Sequence, residues 1–389
     1  MPFDDHGFPG LPRNERAASP RSRRLVAAWL YAIAFMILVM VALGGATRLT
    51  GSGLSIMEWA PVMGTMPPLT DSEWQRLYAL YQQIPQYRLV NDGFGLDGFK
   101  QIFWLEWSHR LWGRLIGAAF LLPLVWFAAT GRIAAHLGIK LGLLFVLGGL
   151  QGAVGWFMVA SGFATDATAV APVRLALHLC LALILYAAVF WTAQSLRPLG
   201  PRVVWAGWRT GLAAWIATGL AGLTILAGAL VAGLHAGRTY NTFPLMDGHL
   251  VPEGYGDLAP FARDLTENIA TVQFHHRLLA TLTVISVLGL LAAVLPHRAR
   301  IGGRMALTAA ALTAQYTLGV ATLLYAVPPG LAIAHQICAT LLLTALLTLA
   351  HGLRPVSRPR RGPRHGQTAR GTPSTRTSAL PTAQKDSQA

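Results

Sequence analysis

The sequence predicts an all-α membrane protein of eight transmembrane helices, built as two tandem, parallel-repeat four-helix bundles. Three observations carry this. The 389 residues are 53% hydrophobic and only 12% charged, about half the charge of an ordinary soluble domain. Apolar stretches recur near residues 25–45, 109–129, 139–160, 172–194, 209–233, 272–295, 304–326 and 330–352, each long enough to cross about 30 Å of hydrocarbon. Finally, motifs of the first half return in the second, which signals duplication.

The net charge of +15 reads as topology and excludes a nucleic-acid partner as its explanation. Of 31 Lys and Arg residues, 21 fall in the N-terminal tail, the 130–140, 195–209 and 296–304 loops and the C-terminal tail. Only 7 lie in the segments on the opposite side, which carry 12 of the 16 acidic residues. An excess of Lys and Arg marks the cytoplasmic side, so both termini are expected in the cytoplasm. The first apolar stretch has no small-residue cleavage site after a short core and reads as a retained helix. Cys180 and Cys338, the two cysteines, fall within spans and read as small packing residues, not a disulfide framework.

The repeat is detailed. Gly45-Ala46 through Pro61-Val62-Met63 aligns without gaps to Gly228-Ala229 through Pro244-Leu245-Met246, and Gln151-Gly152-Ala153-Val154-Gly155 resembles Gln315-Tyr316-Thr317-Leu318-Gly319. Four spans per half is an even number, so both halves enter the membrane in the same sense. The expected organisation is a cytoplasmic tail at 1–24, a first half at 25–200, a second half at 201–354 and a disordered cytoplasmic tail at 355–389. Two long outer segments, 46–105 and 234–271, are rich in Pro and Gly. The aromatic side chains of the first favour lids lying at the membrane–water boundary.

Four histidines fall at matched places. Trp107-Ser108-His109-Arg110-Leu111 answers to Phe274-His275-His276-Arg277-Leu278, and the run from Leu175 through His178 to Cys180 answers to the run from Leu331 through His335 to Cys338. Imidazole is costly in hydrocarbon and is seldom placed there without a task. All four are expected at similar depth toward the outer face, one pair per half on helices facing diagonally. That suits axial ligation of a haem iron from both sides, twice. Structural zinc would want clustered Cys and His, which are absent. His276 is preferred over His275 because it precedes Arg and Leu, as His109 does.

Glu106 stands three residues before His109, on the same helix face; its counterpart in the second half is Gln273, which cannot ionise. This asymmetry suggests one reactive site and one electron-carrying site, against the blander use of Glu106 at the start of a helix. Arg110 and Arg277 either bind haem propionates through bidentate hydrogen bonds or snorkel to the interface. Arg48, Arg174 and Arg238 offer a weaker version of the same chemistry.

The strings Gly44-Gly45-Ala46-Thr47-Arg48-Leu49-Thr50-Gly51-Ser52-Gly53-Leu54-Ser55 and Glu106-Trp107-Ser108-His109-Arg110-Leu111-Trp112-Gly113-Arg114, with the two later histidine helices, resemble the haem A synthase family over about residues 25–352. The absence of a cysteine pair in the first outer loop resembles its proteobacterial and mitochondrial branch. The resemblance implies a membrane oxidoreductase of the bacterial inner membrane that converts haem O to haem A by oxidising the C8 methyl to a formyl group. It implies a resident haem b on His276 and His335, the substrate haem O on His109 and His178, and Glu106 as the catalytic residue. It leaves open a homo-oligomer and contact with haem O synthase or oxidase assembly factors. The rival reading is a non-catalytic di-haem b electron carrier, which explains the histidine pairs but neither Glu106 nor the lids.

Overall fold

The computed structural model describes residues 19–60, 63–197 and 204–355. The two expected tails lie outside this set, apart from residues 19–24 and 355. The protein is an all-α membrane protein. Its long helices are α1 (Pro20–Leu49), α4 (Leu96–Ala129), α5 (Ala135–Ala160), α6 (Pro172–Ser195), α7 (Trp208–Gly233), α9 (Ile269–Val294), α10 (Arg298–Leu324) and α11 (Pro329–Gly352). Short helices α2 (Asp71–Tyr81), α3 (Pro85–Val90) and α8 (Phe261–Glu267) lie between them. Seven helical stretches are long and apolar enough to cross a membrane; one of these, Ile269–Leu324, runs to 56 residues. It is α9 and α10 joined through a single 3-10 turn at Leu295–His297. A three-residue parallel pair, Val204–Ala206 with Leu353–Pro355, is the one sheet among the described residues.

Helix starts follow local chemistry. Ser19 caps α1 by accepting from the Ser22 amide at 3.1 Å, so this helix begins at Pro20 and not at 25. The Asn268 side chain caps α9, accepting from the Ala270 amide at 2.8 Å. Proline opens α6 at Pro172 and α11 at Pro329, where its missing N–H costs nothing. His178 and His335 each follow six residues later, which places them at equal depth.

The long helices pack as two rings. In one, α1 contacts α4 and α6, and α5 contacts α4 and α6; in the other, α7 contacts α9 and α11, and α10 contacts α9 and α11. Across the seam, α1 meets α11, α6 meets α7 and α6 meets α11. The histidine helices α4 and α6 are therefore diagonal in the first ring, as are α9 and α11 in the second.

Each ring is filled at one end and hollow at the other. Val26, Leu30, Ile33 and Ile37 of α1 interlock with Phe120, Phe127, Leu141 and Val189. Ala214, Ala217 and Ala221 of α7 interlock with Val287, Leu290, Leu346 and Leu349. Both clusters lie away from the histidines and close the far end of each ring.

The helix carrying His109 begins at Leu96, well before the apolar stretch expected at 109. Its first turns belong to a lid. Phe99, Ile102 and Phe103 pack against Trp74, Leu77 and Tyr81 of α2, and the Tyr81 hydroxyl accepts from the Asn91 amide at 2.7 Å. Buried aromatic area of this kind is what holds the first outer segment as a structured body.

Candidate functional site

One cavity of about 1700 Å³ occupies the hollow ends of both rings and carries His109, His178, His276 and His335 on its wall. That is larger than the roughly 300–1,000 Å³ of an ordinary single-ligand pocket. Cavity-facing positions match between the rings. Leu175, His178, Leu179 and Ala182 of α6 correspond to Ala332, His335, Gln336 and Ala339 of α11, a stripe with helical spacing. On α4, Glu106, His109, Arg110 and Gly113 correspond to Gln273, His276, Arg277 and Ala280 of α9. Leu54, Gln86 and Val90 of the first lid, and Phe243, Leu245 and Leu250 of the second outer segment, close the outer side.

Every histidine is seated against a glycine of the preceding long helix. A methyl group built on Gly44 would stand 3.2 Å from the His109 Nε2; on Gly155, 2.8 Å from the His178 Cε1; on Gly228, 3.0 Å from the His276 Cε1; and on Gly319, 2.8 Å from the His335 Cε1. At Gly155 and Gly319 the gap is too short for any side chain while the imidazole holds its place, and at Gly44 and Gly228 the ring would have to give way slightly. Gly155 and Gly319 belong to motifs visible in the sequence, where they counted only as signs of the repeat; their fit to the rings is a product of helix packing.

Polar partners fix the rings further. The His276 Nδ1 donates to the Thr224 carbonyl at 3.0 Å, and since a carbonyl only accepts, this sets the tautomer and frees Nε2. Gln151 brings its Nε2 to 3.1 Å from the His178 Nδ1 and donates to the His178 carbonyl at 3.0 Å. Its counterpart Gln315 brings its Nε2 to 3.3 Å from the His335 Nε2. Neither glutamine entered the sequence-based list of site residues.

His275 points elsewhere, with its Nε2 3.3 Å from the Tyr255 hydroxyl and its ring edge-on to Tyr255. That separates it from His276.

Glu106, with 3% of its surface exposed, is a fastening point. Its Oε1 accepts from the Arg110 Nε at 3.0 Å and Nη2 at 2.5 Å. Its Oε2 accepts from the Ser55 hydroxyl at 2.7 Å and the Ile56 amide at 2.9 Å. Arg110 continues to the carbonyls of Ile56 and Glu58 at 2.6 and 3.0 Å, and Arg114, one turn on, donates to the Ala60 carbonyl at 2.8 Å. In the second ring Gln273 donates to the carbonyls of Ala236 and Thr239 at 2.8 and 2.6 Å. Arg277 donates to those of Tyr240 and Thr242 at 2.5 and 2.9 Å. Both arginines thus clamp the loop that follows the first helix of their ring.

The donor chemistry fits a haem. Four imidazoles at matched positions of the two rings face the cavity, and among the described residues no three His, Cys, Asp or Glu side chains gather as an ion site. The His335 Nδ1 and the Oε1 atoms of Gln151 and Gln315 are buried without a hydrogen-bond partner. Such groups are costly when left unmatched, and all three belong to residues that line the cavity.

Comparison with known proteins agrees with this construction. The family described as cytochrome oxidase assembly protein (COX15-CtaA) matches residues 27–347. A heme A synthase of Granulibacter bethesdensis is 58% identical over 91% of this chain and 93% of its own length. One from Azorhizobium caulinodans is 50% identical over 84% and 93%, and one from Nitrosomonas eutropha 46% identical over 84% and 93%. With its sequence matched from the first long helix to the last and its four histidines gathered in one cavity, this chain belongs to the COX15-CtaA family of cytochrome oxidase assembly proteins.

Proposed function

We propose that the protein is a haem A synthase that converts haem O to haem A, oxidising the C8 methyl of the macrocycle to a formyl group. The relatives that cover most of this chain carry that name. The observation that carries the reading is the inequality of two otherwise matched sites: a carboxylate, Glu106, beside His109 and a neutral amide, Gln273, beside His276. The first half, 25–200, is then the substrate half, with haem O between His109 and His178. The second half, 201–354, holds the resident group between His276 and His335. A haem b held there supplies one-electron redox chemistry.

The residues of this chain do the rest. The lids and the apolar wall shield the methyl group from bulk water, and Arg110 and Arg277 hold the rim loops over the two macrocycles. All acceptor positions of Glu106 are taken by Arg110, Ser55 and Ile56, so its contribution is a fixed negative charge facing positive charge that develops at the methyl carbon. Each of two hydroxylations of that carbon takes one oxygen from a water molecule and gives up two electrons and two protons, the electrons passing singly to an external one-electron acceptor; the hydrate so formed loses water to give the aldehyde. The membrane is the bacterial inner membrane, and the excess of Lys and Arg on one side supports both termini in the cytoplasm.

Haem extraction and chromatography test this on protein made in cells that supply haem O. Haem b together with haem O, haem A or a hydroxylated intermediate is the expected yield. Haem b alone would make the protein an electron carrier. The glycine seats add a second test. Overpacking costs about 1–3 kcal/mol, so Gly319→Ala is expected to weaken haem retention in the second half at least about fivefold. An unchanged haem-to-protein ratio would remove the seat from the argument.

A further inference from the structure

Arginines on the cavity wall divide by what they touch. Arg110 and Arg277 spend their donors on loop carbonyls. Arg48 and Arg238 do not. Arg48 lies one helical turn beyond Gly44, the seat of His109, so it leaves α1 on the same face about 6 Å further out. It donates once, from Nη1 to the Ala232 carbonyl of α7 at 2.7 Å, across the seam between the rings. Ala232 is in turn one turn beyond Gly228, the seat of His276. The chain then enters a left-handed residue at His235, φ 53°, and a 3-10 turn over Ala236–Arg238, which brings His235 and Arg238 up to Arg48.

The two guanidinium groups and the His235 imidazole face one another. Burial, and then the charges of Arg48 and Arg238, hold the His235 imidazole below its ordinary value. All three line the cavity. Among the described residues no carboxylate forms an ion pair with any of them. Two guanidinium charges gathered without a counter-ion repel, and a fold that keeps them at the rim of a cavity, beside an imidazole that an anion would help to protonate, has arranged them for an anion. Haem carries two propionates on one edge. A ring whose iron lies at the depth of the histidines, with that edge turned outward, brings its carboxylates to the height of Arg48.

We propose that Arg48, His235 and Arg238 form an anion site at the seam that receives the carboxylate side chains of the tetrapyrrole seated between His109 and His178. The substrate of one ring is then held in part by residues of the other, and a guanidinium fork recognises carboxylate geometry in a way an ester cannot match. This rests on reading the four histidines as iron ligands.

The test uses full-length protein purified with its resident haem from cells that make no haem O. It is titrated with ferric protoporphyrin IX and, separately, with the dimethyl ester of the same porphyrin. Uptake is read from the bis-histidine Soret band. Wild type is expected to prefer the free acid by roughly tenfold or more, the scale of one charge-assisted hydrogen bond. Arg48→Gln and Arg238→Gln are each expected to bring the preference close to one by weakening free-acid binding alone. Ester binding, left within about twofold, shows that the variants are folded and their iron ligands intact. A preference that survives both substitutions overturns the site, as does a wild type that takes up both porphyrins equally well. If wild type gives no bis-histidine band with either porphyrin, the histidine reading itself falls and this proposal with it.

Discussion

Replacing His335 by alanine is expected to remove the low-spin haem signal of the second half and to abolish haem A formation, while the chain still inserts and folds. Alanine is favoured in a helix, and His335 faces the cavity instead of the packed seam, so the cost to the fold is small. The cost to the site is not. His276 would remain as the single imidazole, held by Thr224 at 3.0 Å, and a haem with one axial histidine turns high-spin or leaves. Changes to the shell around a metal ligand alone cost about 10–100-fold, so loss of the ligand should lower haem A output by more than about a hundredfold. His178→Ala provides the contrast: it should retain the low-spin haem b signal and lose the haem O. Electron paramagnetic resonance and extracted haem, measured on both variants, check the assignment of the halves. A low-spin haem b that survives His335→Ala and disappears in His178→Ala would exchange the two sites.

What the sequence disclosed and what it withheld follow from how local each feature is. Imidazoles in apolar runs stand out wherever the chain goes, so His109, His178, His276 and His335 were legible, and the repeat supplied the choice of His276 over His275. The start of α4 was not. Lys100, Gln101 and Glu106 interrupt the apolar run and made 109 look like the beginning of a span, although Phe99, Ile102, Phe103 and Glu106 already follow helical spacing. Those residues are buried by α2 and by the loop after α1, contacts that no window of hydropathy contains. The partners of the arginines were hidden for a similar reason. Arg110 and Arg277 adjoin the histidines in sequence, which offers propionate binding or snorkelling to the interface as their use. Their actual partners are carbonyls of Ile56, Glu58, Tyr240 and Thr242, whose positions depend on how each outer loop folds back. Gln151 and Gln315 were visible as a repeated motif but carried no chemistry until packing set them beside His178 and His335.

Glu106→Gln is the substitution that separates charge from architecture, because the protein already contains its own control at Gln273. In the second ring an amide holds the loop by donating to two carbonyls and accepting from Arg277 at 3.2 Å. In the first ring the same position meets donors: the Ser55 hydroxyl and the Ile56 amide. A glutamine there has one acceptor oxygen for the work of two, so either the Arg110 link or the loop link is lost. An unsatisfied buried donor costs about 1–3 kcal/mol, which should appear as faster proteolysis of the 50–60 loop and a modest fall in haem O retention. Loss of the charge is expected to do much more. Removal of a preorganised electrostatic partner typically costs about 10²–10³ in turnover, so haem A should fall by that factor while bound haem O accumulates. Gln273→Glu, which adds a carboxylate beside the resident haem and opposite two carbonyls, should destabilise the second loop and confer no activity there. The decisive comparison is Glu106→Gln against Ser55→Ala. Ser55→Ala also loosens the loop but keeps the carboxylate. If both variants lose haem A output alike, Glu106 acts by holding the lid; if only Glu106→Gln loses it, the negative charge itself is what the reaction uses.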